Sequence, residues 1–403
     1  MKMKPFGALL PYEEALKTVL ENVSPLERVE EVPITAAMGR VLARDIIATH
    51  STPPFDRAAM DGYAVKARDT FGASRRNARL LTVIDVIYAG MIPQKRLAAR
   101  QCIQIATGAK MPAGADAVVM VEDTDKEGDQ VKIMRAASPR SHVSDKGEDI
   151  KQGELVLAQG VLLDPGKIGV LASQGMKRVT AYAQPQVAVL PTGEEVGEVG
   201  RKLKPGQVYD INSYTISAVV VGNGGQPFQQ AIAGDTREEL RTAIDRVLEK
   251  DIVVISGGSS VGERDLLFSI LEEQGRVLFH GIQIKPGKPT LFALVKGKPV
   301  FGMPGYPTSC LVNAYLLLLP ALRKMAHLPL RTRMEVATTL SERVPGSVGR
   351  LQFLPVRIEG NKAIPIFKES GAITTTAQAD GYIEIAQNID MLEKDAPVTV
   401  TLF

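Results

Sequence analysis

At 403 residues the chain is too long for one ordinary hydrophobic core, and two to four domains are expected. A hydrophobic fraction of 45%, a charged fraction of 23% and a net charge of +3 describe a soluble globular protein with no basic footprint for nucleic acid. Two distant cysteines, Cys102 and Cys310, and four histidines without ligand spacing argue against a disulfide framework or a zinc site. Scarce aromatics argue against a base-stacking platform, and no apolar run is long enough for a membrane span. With no signal peptide read ahead of the first helix, the expected location is the cytoplasm.

Pro11 to Val23 reads as an amphipathic helix, because Leu16, Val19, Leu20 and Val23 recur at helical spacing. Residues 30–50 read as short extended pieces. From Ser51 a loop runs through Asp61-Gly62 into a strand at Tyr63. Residues 79–121 alternate apolar runs with Gly and Pro, the pattern of a small all-β module, and 126–152 read as surface strands and loops. A helix is expected from Pro165 to Ala172, and a domain boundary between Ala181 and Gln186. There the pattern becomes βα: a strand over Gln186–Leu190, a helix over 212–221, and a further helix opened by Asp235-Thr236-Arg237-Glu238. That tetrapeptide resembles a capping box, with Glu238 three residues after Asp235. Ile252–Ile255 is a buried strand, followed by a helix and by strand-like runs ending at Ile284-Lys285 and at Pro299–Met303. Pro307 opens a helix to Lys324, which Pro320 near its end should kink or shorten. Strands alternating with helices imply a largely parallel sheet. After Leu330, alternation without helices implies a small β-barrel or sandwich.

The chemistry is densest between Asp251 and Pro307. Ligands of open α/β sheets sit at the carboxyl ends of strands. Three such ends here carry glycines, hydroxyls, two lysines and an acid. Ser256-Gly257-Gly258-Ser259-Ser260-Val261-Gly262 lets a backbone rich in N–H groups approach an anion. A plain βα turn would need neither the serines nor that glycine density. The loop is neither a Walker A motif nor a dinucleotide fingerprint. Lys285 and Lys288 flank Pro286-Gly287 and can aim two ammonium groups into one cleft; taken alone they suit a solvated turn equally well. With the glycine loop they point to a nucleotide, a phosphate or an oxyanion. Glu195, Asp235 and Asp265 lie near strand ends and could hold Mg²⁺, although Asp235 and Asp265 also read as helix N-caps. Ser309 suits an oxyanion or a cap. Thr107 reads as a turn hydroxyl, and Arg350 and Ser370 as surface residues.

Together these stretches resemble the molybdopterin molybdenumtransferase family of the MoeA type, related to the E domains of gephyrin and the plant enzyme. The resemblance rests on Pro54-Phe55-Asp56, Met60-Asp61-Gly62-Tyr63-Ala64, Ala106-Thr107-Gly108-Ala109 and Pro191-Thr192-Gly193-Glu194-Glu195. It continues through the glycine loop to Glu263-Arg264-Asp265, Lys285-Pro286-Gly287-Lys288-Pro289, Pro304-Gly305-Tyr306-Pro307, Ser370-Gly371-Ala372-Ile373 and Ala379-Asp380-Gly381. It spans essentially the whole chain.

The resemblance implies a multidomain α/β plus β fold and a homodimer. A discontinuous first domain (1–50 and 147–180) would hold an inserted β-rich domain (51–146). An α/β domain of the MogA kind (181–327) and a C-terminal β-barrel (328–403) would follow. It also implies the reaction: molybdate is inserted into the dithiolene of adenylylated molybdopterin with Mg²⁺, and AMP is released. The substrate would come from a molybdopterin adenylyltransferase, and the product would go to apo-molybdoenzymes. By position, Asp61, Thr107, Glu195, Asp235, Asp265 and Lys285 carry over as catalytic residues, with Glu195 and Asp265 on the metal. Gly257, Gly258, Ser259, Ser260 and Gly262 carry over to substrate binding, and Pro304 and Pro307 shape the cleft. The molybdate pocket maps onto Lys285, Lys288, Ser309, Arg350 and Ser370. A dianionic oxyanion suits such Lys, Arg and Ser donors. Asp61 and Thr107 lie far from the α/β domain in sequence, so a shared site would imply delivery by a partner subunit. The chain departs from the family at Tyr306, where Asn is frequent, and at Ser259, where Val is frequent. Alternative readings are a tungstate-specific paralogue, a molybdopterin adenylyltransferase and a non-catalytic pterin carrier or scaffold.

Overall fold

The computed structural model describes residues 9–234, 236–257 and 266–403. They form two compact units. One comprises Glu31–Met38 and Leu42–Thr180; the other comprises the segment ending at Glu30, Gly39–Val41 and Ala181–Phe403.

The first unit is built on a six-stranded sheet. Its strands run in the order Ala117–Met120, Gly62–Val65, Gln101–Ile105, Arg79–Ile87, Gln130–Ile133 and Thr124–Glu127. Alternation sets the packing of its second strand. Tyr63 and Val65 join one core with Leu81, Cys102 and Val131, while Ala64 faces another with Ile87, Ile103 and Val118. Burial pushes the Cys102 thiol up to about 12, which makes it a packing group rather than a nucleophile. The expected helix near Pro165 spans Pro165–Ser173, with the Asp164 carboxylate accepting from the Lys167 amide at 2.9 Å.

In the second unit a six-stranded mixed sheet runs Gln226–Gln229, Gln186–Pro191, Ile252–Ser256, Lys298–Met303, Leu291–Val295 and Gly275–His280. The first four strands are parallel, and the last two add an antiparallel edge. The interiors of its central strands, residues 187–190, 252–255 and 300–301, are apolar at every position because both faces are covered. Val187, Val189, Ile252 and Val254 pack with Ile216, Val220 and Leu322 from one set of helices. Ala188, Leu190, Val253 and Ile255 pack on the opposite face with Leu240, Ile244 and Leu271. Asp251 is buried at the head of the Ile252–Ser256 strand. It accepts from both terminal nitrogens of Arg28, at 2.9 and 3.3 Å, and from the Gln186 amide at 2.8 Å. The residue that sequence marks only as a strand boundary thus registers two neighbouring strands.

Several expectations are corrected. Ile284–Lys285 does not end a strand of the α/β sheet; it pairs in parallel with Leu351–Gln352 of the C-terminal sheet. A two-residue strand carries no periodic signal, so its partner is decided by distant chain. The capping box belongs to Thr236 and Glu239, one position later than Asp235 and Glu238. Thr236 has the extended backbone that lets its hydroxyl turn back to the third amide of the helix. Pro320 does not end its helix. A π-helical stretch, Ala314–Leu318, lies just ahead of it and the helix runs on through Met325. The wider turn accommodates a residue that has no N–H to donate. The C-terminal region is a closed barrel: Leu351–Glu359 pairs with both Lys362–Pro365 and Gly381–Ile385, and Glu335–Leu340 and Pro397–Leu402 complete the ring. It also contains a short helix, Thr374–Ala377, where none was expected.

Thr236→Ala should lower stability by about 1 kcal/mol through loss of the cap, read as a lower urea midpoint.

Candidate active site

Three parallel strands of the second unit end side by side. Pro191 pairs with Ser256, and Ser256 with Met303. Beyond these ends the chain is stitched across. The Thr192 amide donates to the Ser256 carbonyl at 3.0 Å, and the Gly257 amide to the Met303 carbonyl at 3.1 Å. Gly257 has a φ of +93°, and a Cβ there would lie 2.8 Å from both the carbonyl oxygen and the hydroxyl of Thr192. Among the described residues, a Cβ built at Gly305 would come within 4 Å of Gly257 Cα alone, at 3.7 Å, so the two glycines face each other across the strand ends. Asn212, at the start of the Asn212–Gly222 helix, donates its amide to the Gly305 carbonyl at 2.9 Å.

Pro304 is buried and leads through Gly305 and the exposed Tyr306 into a helix that begins at Pro307. The missing N–H of Pro307 costs nothing at that position. The first turn of this helix meets the C-terminal region. The Thr308 amide donates to the Ser370 carbonyl and its hydroxyl to the Ala372 carbonyl, each at 3.0 Å. Ser309 lies beside it, 4% exposed, with no hydrogen bond from its hydroxyl among the described residues.

The lysine turn is the third component. Pairing of Ile284 with Leu351 and of Lys285 with Gln352 places Lys285 close along the ladder from Arg350. Among the described residues neither Lys285 nor Arg350 has an ion-pair partner. Lys288 is half-buried, and its carbonyl accepts from the amides of Ile282 and Thr290 at 3.0 and 2.9 Å. The strand ladder, the Thr308–Ser370 hydrogen bond and the helix after Pro307 thus draw Lys285, Lys288, Ser309, Arg350 and Ser370 from the α/β and barrel regions into one connected framework.

Glu195 is exposed in the loop after Gln186–Pro191, with its carboxylate folded over Gly193. Asp235, Gly258, Ser259, Ser260, Gly262 and Asp265 lie outside the described residues. No group of three or more metal-ligating side chains occurs among the described residues.

Asp61 and Thr107 belong to the other unit, where they contact each other. The Thr107 amide and hydroxyl both donate to Asp61 Oδ1, at 2.7 and 2.9 Å. These two bonds, the backbone one first, hold the Asp61 carboxyl below the usual carboxylate range. The reading of Thr107 as a lone turn hydroxyl misses a pairing 46 residues apart in sequence. A depressed folded pKa adds stability above the unfolded value and loses it as pH falls through the folded value. Thr107→Ala should therefore lower the Tm at neutral pH, and the gap from wild type should close below about pH 4. A gap that stays constant with pH would exclude this pairing as its source.

Sequence reasoning passed over Thr192, Asn212 and Asn313. A helix-start position marks Asn212, but nothing local announces which carbonyl it holds.

The chain matches three family profiles in order. They are the MoeA N-terminal region (domain I and II) over residues 10–175, "Probable molybdopterin binding domain" over 188–324, and the MoeA C-terminal region (domain IV) over 337–403. It is 32% identical over 378 residues to a molybdopterin molybdenumtransferase of Staphylococcus epidermidis, covering 92% of this chain and 90% of that one. The chain belongs to the molybdopterin molybdenumtransferase family. A second relative, molybdopterin molybdenumtransferase 2 of Mycobacterium tuberculosis, is 33% identical over 368 residues, with 89% of this chain and 91% of that one covered. The crystal structure of a MoeA molybdopterin biosynthesis protein from Pyrococcus horikosii superposes with a TM-score of 0.85 at 41% identity. It covers 98% of this chain and 99% of its own. This molybdopterin molybdenumtransferase family member therefore shares the family's fold over nearly its full length.

Proposed function

We propose that the chain inserts molybdenum from molybdate into adenylylated molybdopterin and releases AMP. The activity is that of its family, a transferase of molybdenum cofactor biosynthesis. The observation that carries the finer reading is the pairing of Lys285 with Gln352, two residues along the strand from Arg350, which gives one ladder two cations without ion-pair partners among the described residues. A tetrahedral dianion fits such donors, and the buried Ser309 hydroxyl offers a further hydrogen bond. Gly305 leaves room beside the strand ends for the close approach of a phosphate-bearing substrate. Lys285 and Lys288 would also offset charge that builds on the departing AMP.

Mg²⁺ fits the donor chemistry. Glu195 supplies one hard oxygen ligand among the described residues, and Asp265 is proposed as a second. The remaining positions would be taken by phosphate oxygens and water, the usual arrangement for this ion. When bound, it would neutralise phosphate charge.

No helix among the described residues is long and apolar enough to cross a membrane, and a cytoplasmic location is proposed. A homodimer is proposed on the family likeness, with Asp61 and Thr107 of one subunit serving the reaction of the other. Mixing Asp61→Asn with Lys285→Ala chains should restore turnover that each lacks alone; no restoration would argue against sharing between subunits.

The deciding assay is AMP release from adenylylated molybdopterin with Mg²⁺ and either molybdate or tungstate. Molybdate-dependent release is expected. Release with tungstate alone would indicate the tungstate paralogue. Pyrophosphate release from ATP and molybdopterin would indicate the adenylyltransferase, and tight binding without turnover would indicate a carrier.

A further inference from the structure

Asn313 lies on the helix that starts at Pro307, and its side chain is fully buried. Its amide nitrogen donates to the Gly287 carbonyl at 3.1 Å and to the Thr290 hydroxyl at 2.7 Å. That hydroxyl in turn donates to the same Gly287 carbonyl at 2.8 Å. The three groups close a triangle directly beneath the turn that carries Lys285 and Lys288. Gly287 has a φ of +105°, and a Cβ there would overlap the Asn313 amide, so the turn sits hard against this one side chain. Asn313 Oδ1 is buried and finds no hydrogen-bond partner among the described residues. A buried acceptor left unpaired is costly, so the residue is not explained by generic core stability.

We propose that Asn313 is a positioning residue for the lysine turn. It would set where Lys285 and Lys288 present their ammonium groups, and so the affinity for the tetrahedral oxyanion. This rests on the reading of the turn as part of the molybdate cradle. The helix of Asn313 also carries Ser309, and its first turn is bonded to the Ser370 carbonyl. One element therefore fixes the lysine turn and the serine side of the cradle relative to each other. The Thr290 hydroxyl spends its hydrogen on Gly287. An aspartate at position 313 would offer only acceptors: it would oppose the Gly287 carbonyl, or draw the Thr290 hydrogen to itself and leave that carbonyl without either of its donors.

The test measures molybdate binding by calorimetry and AMP release against molybdate concentration for the full chain and for Asn313→Asp. The variant should raise the molybdate Kd and KM by about tenfold, the loss of roughly one well-made hydrogen bond, and lower kcat at saturating molybdate as well, because the displaced lysines also face the departing AMP. Thr290→Val removes the hydroxyl link while leaving Asn313 in place. It should raise the same two constants by a smaller factor, and it serves if the aspartate variant does not fold. A core control, Val220→Ala, should lower the Tm without moving either constant. Folded Asn313→Asp or Thr290→Val with a lowered Tm and an unchanged molybdate Kd would overturn the proposal and leave Asn313 a packing residue. A wild-type chain that binds no molybdate would instead overturn the cradle reading itself, and this inference with it.

Discussion

Lys285→Ala is expected to cut molybdate-dependent AMP release by about a hundredfold to a thousandfold, the cost of removing one preorganised charge from a reacting oxyanion site. The reason lies in how the side chain is held. Ile284 is fully buried, and the Ile284–Lys285 strand is clamped to Leu351–Gln352, whereas the Lys285 side chain is exposed and makes no ion pair among the described residues. Truncation removes charge from the cleft and leaves the fold intact, so the Tm should stay within about a degree of wild type, as for most surface substitutions. Lys285→Arg keeps the charge but replaces a compact ammonium by a planar fork, and should recover only part of the rate. Turnover within threefold of wild type in Lys285→Ala would remove this residue from the reaction.

Gly257→Ala should damage both stability and rate. A residue with a side chain at φ +93° is strained by roughly 1–3 kcal/mol. The added Cβ also meets the Thr192 carbonyl and hydroxyl at 2.8 Å, and Thr192 is itself bonded to Ser256. Relief requires the strand ends at Thr192 and Met303 to move apart. Misplacement of reacting groups by about 1 Å can cost on the order of a hundredfold in rate. A lower Tm together with an AMP-release rate reduced by that order is the expected result. A normal rate despite a lower Tm would show that the strand ends tolerate displacement.

Much of the fold is legible in the sequence because its signals are local. The run Ile252–Ile255 is apolar at every place, as a strand covered on both faces must be. The stripe Leu240, Ile244 and Val247 has helical spacing, and the helix it belongs to buries those residues. The candidate site is legible only in its residue types. The Lys285-Pro286-Gly287-Lys288 turn and the Pro304–Pro307 stretch are visible as unusual composition. Their meeting with Arg350 and Ser370 is not, and Arg350 and Ser370 read as surface residues until the motif order of the family is recognised.

The periodicities, the helix starts, the alternation of strand and helix and the ordered motifs that carry the family likeness are all written locally along the chain. Each depends on residues within a few places of one another, where backbone sterics and side-chain spacing act directly. The pairing of Ile284–Lys285 with the barrel strand rather than the α/β sheet is visible only in the folded chain. The same holds for Thr107 clasping Asp61, and for Asn313 bracing Gly287 from 26 residues away. Those choices rest on hydrogen bonds between distant segments. Their partners have no fixed spacing in the chain, so no local pattern announces them.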